Sequence, residues 1–126
     1  MFIFQNIKMV SSRIILVFFL AIVATALATK HDMIIGIRQI GDREFIREKI
    51  YKAPSKWGFK HQVIEKEFRS PYIRTITMIR ALDQNTSGHG AEVTVTGGGV
   101  GYDYVKLKFE SETFRGIDFY LEIYGR

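Results

Sequence analysis

The sequence predicts an all-β protein, a single-domain antiparallel β-sandwich or barrel of about seven strands, and three observations support this prediction. Apolar residues recur with a period close to two, rather than 3.6, along most of the chain after residue 28. Turn-forming Gly, Pro, Asp and Asn residues separate these runs. Parallel pairing needs long crossover helices, for which the remaining residues, about 98 in number, leave no room. We therefore expect one core and one domain, from residue 29 to residue 126.

The clearest predicted strand lies at the end of the chain. There, four apolar residues alternate with polar and amphipathic ones: Ile117, Phe119, Leu121 and Ile123. Residues 92–96 and 105–109 show the same alternation, which is typical of half-buried strands. Residues 73–82 are rich in β-branched side chains and are apolar on both faces, so this segment is predicted to be the central strand.

Three earlier segments, 33–40, 44–52 and 59–68, are also predicted as strands, although the second of them equally fits a short helix. A glycine loop follows the fifth strand and consists of Gly97, Gly98, Gly99 and Gly101. It lacks the strand–loop–helix context and the Gly-Lys-Ser/Thr ending of a phosphate loop. These glycines are therefore predicted to be structural, permitting positive φ, a bulge or a close crossing of sheets.

Residues 1–28 are predicted to be a secretory signal peptide. Lys8 and Arg13 precede an apolar run, and Ala26 and Ala28 provide small residues for cleavage before Thr29. Translation from Met1 or from Met9 gives the same product. A membrane anchor is the alternative, but residues 14–28 are shorter than the roughly 20 apolar residues of a spanning helix. We therefore expect an extracellular protein that has no membrane span after cleavage.

Composition narrows the functional classes. The chain has no cysteine, which excludes thiol catalysis and cysteine-ligated metals and leaves stability to packing alone. Without residues 1–28, it carries 16 basic and 13 acidic residues, a net charge of +3. Residues 30–80 carry a charge of +6 and residues 81–126 carry −3. Acidic residues interrupt the basic ones, so we interpret this asymmetry as a solvated face and expect no direct nucleic-acid binding.

No constellation of residues indicates catalysis. His31, His61 and His89 are 30 and 28 residues apart, which matches no local metal motif, and surface imidazoles are expected. The acidic pairs Glu65/Glu67 and Glu110/Glu112 are common on solvated strand faces. No Gly-x-Ser-x-Gly elbow or nucleophile with an activating base is present. The expectation is a non-enzyme with no catalytic residue, no bound metal and no cofactor.

Two further features bear on an exported protein. Asn85 begins the sequon Asn-Thr-Ser in a predicted loop and is a candidate for N-glycosylation. Five aromatic residues could line a ligand surface, but aromatic residues of small β proteins usually pack inward, and that is what we expect for Trp57, Phe59, Tyr72, Tyr102 and Tyr104.

Several segments together resemble one known family. They are residues 36–38, 41–43, 50–52, 71–84, 97–101, 105–109 and 119–125. Their order and spacing are similar to those of the insect family named for multiprotein bridging factor two, many of whose members are labelled salivary secreted peptides. The resemblance covers nearly all of the predicted domain.

This resemblance implies two different roles. The family's founding description is of a coactivator that bridges a DNA-bound nuclear receptor and the general transcription machinery without binding DNA itself. The family brings no catalytic residues. Because of the predicted leader, we expect a secreted, non-enzymatic insect protein that binds a protein or other extracellular ligand. The resemblance to salivary secreted peptides implies saliva as its place of action. The nuclear coactivator is the alternative, and the sequence indicates neither the partner nor the oligomeric state.

Overall fold

A computed structural model describes residues 31–55, 57 and 61–126 of the chain, and the predicted signal peptide lies outside these residues. The described part is all-β and antiparallel, which confirms the predicted fold class and strand number. Its seven strands are β1 (Met33–Gly36), β2 (Arg43–Lys52), β3 (Val63–Arg69), β4 (Ile76–Asp83), β5 (Glu92–Gly98), β6 (Tyr104–Glu110) and β7 (Ile117–Gly125). Across these residues, no helix has the length and apolar character needed to cross a membrane.

The strands form two sheets. One sheet has four strands in the order β1-β4-β7-β2, and the other has three in the order β3-β6-β5. All five strand pairings are antiparallel. β4 pairs with β1 on one side and β7 on the other, so the segment predicted as the central strand is an interior strand.

The core lies between the two sheets. The alternation that predicted β7 corresponds to burial of alternate side chains. The odd-numbered residues of β7 from Ile117 to Ile123 are at most 1% exposed. Phe119 of β7 meets Phe109 of β6 with ring centroids 5.3 Å apart. Since burying an aromatic side chain removes roughly 150–250 Å² from water, this pair is a main source of stability in a domain without disulfides.

The bounds of several strands differ from the sequence prediction, and β4, predicted over residues 73–82, spans Ile76–Asp83. β1 ends at Gly36 rather than residue 40, because Gly36 has a φ of +82°, a conformation that interrupts the extended backbone. The segment that also fitted a helix is strand β2, since it pairs with β7 along its length. β3 begins at Val63, and the preceding residues 58–60 lie outside the described part.

The two open sides of the sandwich are unlike each other. On one side, an ion pair between Lys66 of β3 and Glu48 of β2 joins the sheets. On the other side, the edge strands β1 and β5 border a groove lined by His31, Asp32, Met33, Glu92 and Val93. This second side carries the features described next.

Candidate functional site

A cluster of exposed aliphatic side chains, which we name the apolar edge, lies along β1 and the loop to β2. Its members are Ile34, Ile35, Ile37, Ile40 and Val100. Their exposed fraction rises from 37% at Ile35 to 75% at Ile37 and 96% at Ile40. Val100 belongs to the cluster because its side chain lies against Gly36. Because Ile34 and Ile35 point to opposite faces of an edge strand, exposed aliphatic side chains flank this edge on both faces, and the apolar edge is a candidate binding site.

The backbone of β1 also favours an interaction at the apolar edge. β1 is an edge strand whose only strand neighbour in the described part is β4. Its sequence, Met-Ile-Ile-Gly, contains no charged residue or proline, which are the usual means of protecting an edge from pairing. The apolar edge therefore combines exposed side chains with backbone groups on the side of β1 away from β4.

Asp42 anchors the loop that carries Ile37 and Ile40. Its carboxylate accepts hydrogen bonds from the Gln39 backbone N–H at 2.6 Å, from Arg38 Nε at 2.8 Å and from Thr77 Oγ1 at 2.9 Å. Desolvation raises the pKa of Asp42, but these three hydrogen bonds together outweigh it and hold that pKa below its ordinary value. Ile37 and Ile40 are thus exposed on an anchored loop.

Arg38 also connects this loop to the outer face of the four-stranded sheet. Its guanidinium lies 4.0 Å from the ring centroid of Tyr124, whose hydroxyl donates a hydrogen bond to Glu122 at 2.8 Å. That hydrogen bond, together with burial, raises the pKa of Tyr124. Glu122 also pairs with Arg80 at 3.4 Å. These contacts fix the position of the loop relative to β4 and β7.

Three exposed arginines lie at the Ile40 end of the apolar edge. Arg126 Nη1 donates to the Ile40 carbonyl oxygen at 3.3 Å, and the backbone N–H of Arg74 donates to the Arg126 carbonyl oxygen at 3.1 Å. Arg43 faces Gly125 in the pairing of β2 with β7. Within the described residues, none of these three guanidinium groups forms an ion pair. We name these three residues the basic cluster, which lies beside the Ile40 end of the apolar edge.

A second candidate site lies at the end of the sandwich where β1 begins, and we name it the histidine–glutamate cleft. It is a cavity of about 260 Å³, and its lining includes His31, His61, Glu92, Glu110 and Glu112. His61 Nε2 lies 2.8 Å from a Glu110 oxygen, and His89 Nδ1 lies 3.0 Å from a Glu112 oxygen. The fold thus brings His31 and His61 to one cavity and pairs His89 with a glutamate of its lining. Sequence spacing gave no sign of this convergence.

Asp83, which is only 2% exposed, lies against two residues that line this cleft, His31 and Gly90. Its carboxylate accepts hydrogen bonds from the backbone N–H groups of His31 at 3.2 Å and Asn85 at 2.9 Å. A side chain at Gly90 would collide with this carboxylate, so only glycine allows the loop to pass so closely. His31 Nδ1 is buried and has no hydrogen-bond partner among the residues that the structure describes.

The residues singled out from sequence lie in different places. Asn85 is half-buried in the β4–β5 loop, and its side-chain oxygen accepts hydrogen bonds from Ser87 N at 2.8 Å and Ser87 Oγ at 2.6 Å. It remains a candidate for glycosylation. No three His, Asp or Glu side chains among the described residues are arranged to hold a metal ion.

The glycine loop joins β5 to β6. Gly98, Gly99 and Gly101 have φ values of +61°, +118° and +92°, and the pairing of β5 with β6 shifts register between Val95 and Gly97. At Gly98, any side chain would collide with the Tyr104 carbonyl oxygen. The positive φ values and the register shift explain why glycine occupies these positions.

The prediction that the aromatic residues pack inward is wrong for three of them. Trp57 and Tyr72 are each 90% exposed and Tyr102 is 57% exposed, whereas Tyr104 is half-buried. Phe59 lies outside the described residues. The error arose because these residues lie in loops and turns, where the alternation that distinguishes inward from outward side chains does not apply.

Comparisons with known proteins agree with the resemblance noted in the sequence. A family model described as "Transcription activator MBF2" matches residues 35–125. A protein of Bombus ignitus, described as "Probable salivary secreted peptide", is 41% identical over 96 residues, which cover 76% of this chain and 70% of that protein. No solved structure matches the chain significantly. The match to the family model covers every described strand except the start of β1, and the chain therefore belongs to the MBF2 transcription activator family.

Proposed function

We propose that this protein is a secreted, non-enzymatic binding protein that contacts an extracellular protein through the apolar edge. The similarity to a salivary secreted peptide of a bumblebee supports secretion, as does the predicted leader of residues 1–28. The observation that carries the proposal is the exposure of Ile34, Ile37 and Ile40, at 55%, 75% and 96%.

The form of the apolar edge favours an extended partner segment. An added strand can hydrogen-bond to the side of β1 away from β4, while its alternate side chains contact Ile34 or Ile35. Acidic residues beyond the apolar part of such a segment would meet the basic cluster of Arg43, Arg74 and Arg126. The proposed partner is therefore a protein with an exposed strand-like segment that is apolar at one end and acidic at the other.

Transcriptional coactivation is the second candidate, because the family model carries that name. A coactivator also acts through protein contacts, so the apolar edge is compatible with either role. The two roles differ in compartment. Secretion requires removal of residues 1–28, whereas nuclear action requires that this leader be bypassed.

Compartment is tested by isolating the protein from saliva or culture medium and sequencing its amino terminus. Secretion predicts a start near Thr29, and enzymatic deglycosylation lowers the mass if Asn85 is modified. Full-length protein found in nuclei with Met1 or Met9 retained would contradict secretion and support the coactivator.

Binding is tested with immobilised protein and fractionated saliva, comparing wild type with Ile37→Lys and with Tyr51→Lys. Tyr51 is a matched control because it is 58% exposed but lies on the opposite edge strand, β2. If Ile37 is a central contact, Ile37→Lys weakens binding of the retained protein about 30-fold or more, and Tyr51→Lys changes it little. Equal retention by all three proteins contradicts a role for the apolar edge.

The non-enzymatic part of the proposal has its own test. A purified protein with a defined substrate-cleaving activity that disappears in His89→Ala would contradict it.

A further inference from the structure

β1 is the least protected of the sheet edges in the described part of the chain. Four strands lie at a sheet edge there, namely β1, β2, β3 and β5. β2 carries six charged residues, β3 carries four and β5 begins with Glu92, whereas β1 carries none. Because charge on an edge strand discourages further pairing, β1 is the edge on which another strand is most easily added.

The hydrogen bonds on either side of β1 show which backbone groups face away from β4. The N–H of His31 donates to the Asp83 carboxylate of β4 at 3.2 Å. The N–H of Ile37 donates to the Thr77 carbonyl oxygen of β4, also at 3.2 Å. Backbone groups of successive residues in a strand point alternately to opposite sides. The N–H and C=O groups of Ile34 and the other even-numbered residues of this segment therefore face the open side.

The surroundings of β1 carry opposite charges at its two ends. Asp32 and Glu92 are exposed and lie beside its first residue, in the groove that Met33 also lines. The basic cluster lies beyond its other end, beside Ile40. When two such strands pair antiparallel about a two-fold axis, the acidic end of each copy lies alongside the basic end of the other. Parallel pairing would instead bring like charges together.

We propose that the partner of the apolar edge is a second copy of this chain, whose β1 pairs antiparallel with β1 about a two-fold axis at Ile35. The two four-stranded sheets then become one sheet of eight strands. This inference rests on the proposed function, because it names the partner of the same edge. Residues 32–37 are themselves an exposed apolar segment with an acidic end, as proposed for that partner.

The backbone and the charges together determine the register of this pairing. Because even-numbered residues face outward, they must lie opposite one another, so the axis passes through a residue rather than between two residues. An axis at Ile35 sets Asp32 opposite Arg38, a match of opposite charges that is lost when the axis moves by one residue in either direction. The two copies of Ile35 then form a non-hydrogen-bonded pair, with Cα atoms about 4.5 Å apart.

Self-association is measured by sedimentation equilibrium of the purified protein over a range of concentrations, at low and at high salt. The mass should rise from one chain toward two with concentration, and the dimer should weaken in salt because the charges at its ends are screened. Ile35→Lys should weaken the dimer at least about tenfold, since it sets two like charges opposite each other. Tyr51→Lys, on the opposite edge strand β2, is the matched control and should leave the dimer unchanged.

Single-cysteine variants test the register, because the chain has no cysteine of its own. Ile35→Cys places two thiols opposite each other, within the Cα separation of roughly 4.4–6.8 Å that a disulfide spans, so oxidised glutathione should link the two chains. Ile34→Cys is the matched control. Ile34 is more exposed than Ile35, at 55% against 37%, but its two copies lie diagonally, about 7–8 Å apart, and should link more slowly.

The outcomes separate this inference from the proposed function. A monomer at every concentration, a dimer that Ile35→Lys leaves intact, or faster linking by Ile34→Cys than by Ile35→Cys would overturn the inference. If the protein is monomeric and Ile37→Lys still weakens retention of another salivary protein, only the second copy is wrong and the proposed function stands. If Ile35→Lys disrupts a dimer while Ile37→Lys retains salivary proteins as wild type does, self-pairing is supported and another partner at this edge is contradicted.

Discussion

The two edge strands of the four-stranded sheet differ in how well they are protected against pairing with another strand. β2 spans ten residues, six of them charged, and it is paired with β7 through nine register positions and one bulge. β1 spans four uncharged residues and is paired with β4 through four positions. Charge and a bulge protect an exposed edge against further pairing, whereas a short apolar edge leaves pairing open. The difference supports the proposal that β1, rather than β2, is the edge that meets a partner.

The largest expected effect is a difference in the free energy of unfolding between two isoleucine-to-alanine substitutions, one on each edge strand. Ile50 of β2 is 4% exposed and Ile34 of β1 is 55% exposed. Ile50→Ala should lower the free energy of unfolding by about 2–5 kcal/mol, because it leaves a cavity in the core. Ile34→Ala should change it by less than about 0.5 kcal/mol. Urea denaturation followed by circular dichroism measures both, and equal losses would show that β1 is as structural as β2.

Amide hydrogen exchange gives a second measure of the same contrast. The amides of β1 that donate to β4 should exchange at least about tenfold faster than the amides of β2 that donate to β7, because a strand held by few pairs opens locally before the domain unfolds. NMR-detected exchange near neutral pH provides the rates. Equal protection of the two strands would contradict this difference.

Asp42 links the apolar edge to the pH dependence of stability. Its pKa is lowered in the folded state, so its contribution is fully present above the unfolded pKa and is lost as the pH falls through the folded value. Asp42→Asn should therefore lower the melting temperature near neutral pH and flatten its decline in acid. Thermal unfolding between about pH 2 and pH 7 tests this. An unchanged acid slope would show that Asp42 does not anchor the loop in solution.

The smallest effect concerns the side of the sandwich next to β2. Lys66 and Glu48 join the two sheets there, but their side chains are 45% and 38% exposed. A double-mutant cycle with Lys66→Met and Glu48→Gln should give a coupling energy of only about 0.2–1 kcal/mol, decreasing with added salt. A larger, salt-independent coupling would mean that this ion pair, rather than core packing, closes that side.

The sequence was informative wherever a strand has one buried face. The alternation at Ile117 to Ile123 predicted β7, because burial of every second side chain is a local pattern. The sequence did not predict the exposure of the β1 side chains, because an isoleucine in an edge strand gives the same hydrophobic pattern as one in a central strand. The meeting of His31 and His61 was equally unpredictable, because the order of strands in the two sheets sets it and the spacing of the residues does not.

The exposure of Trp57 determines which optical signals will report on this protein. It is the single tryptophan of the chain, and its side chain is 90% exposed. Because its indole is already in water, we expect its fluorescence emission to change little on unfolding. Denaturation is therefore best followed by far-ultraviolet circular dichroism. A blue shift of this emission on adding a candidate partner would instead report that the partner covers the β2–β3 loop.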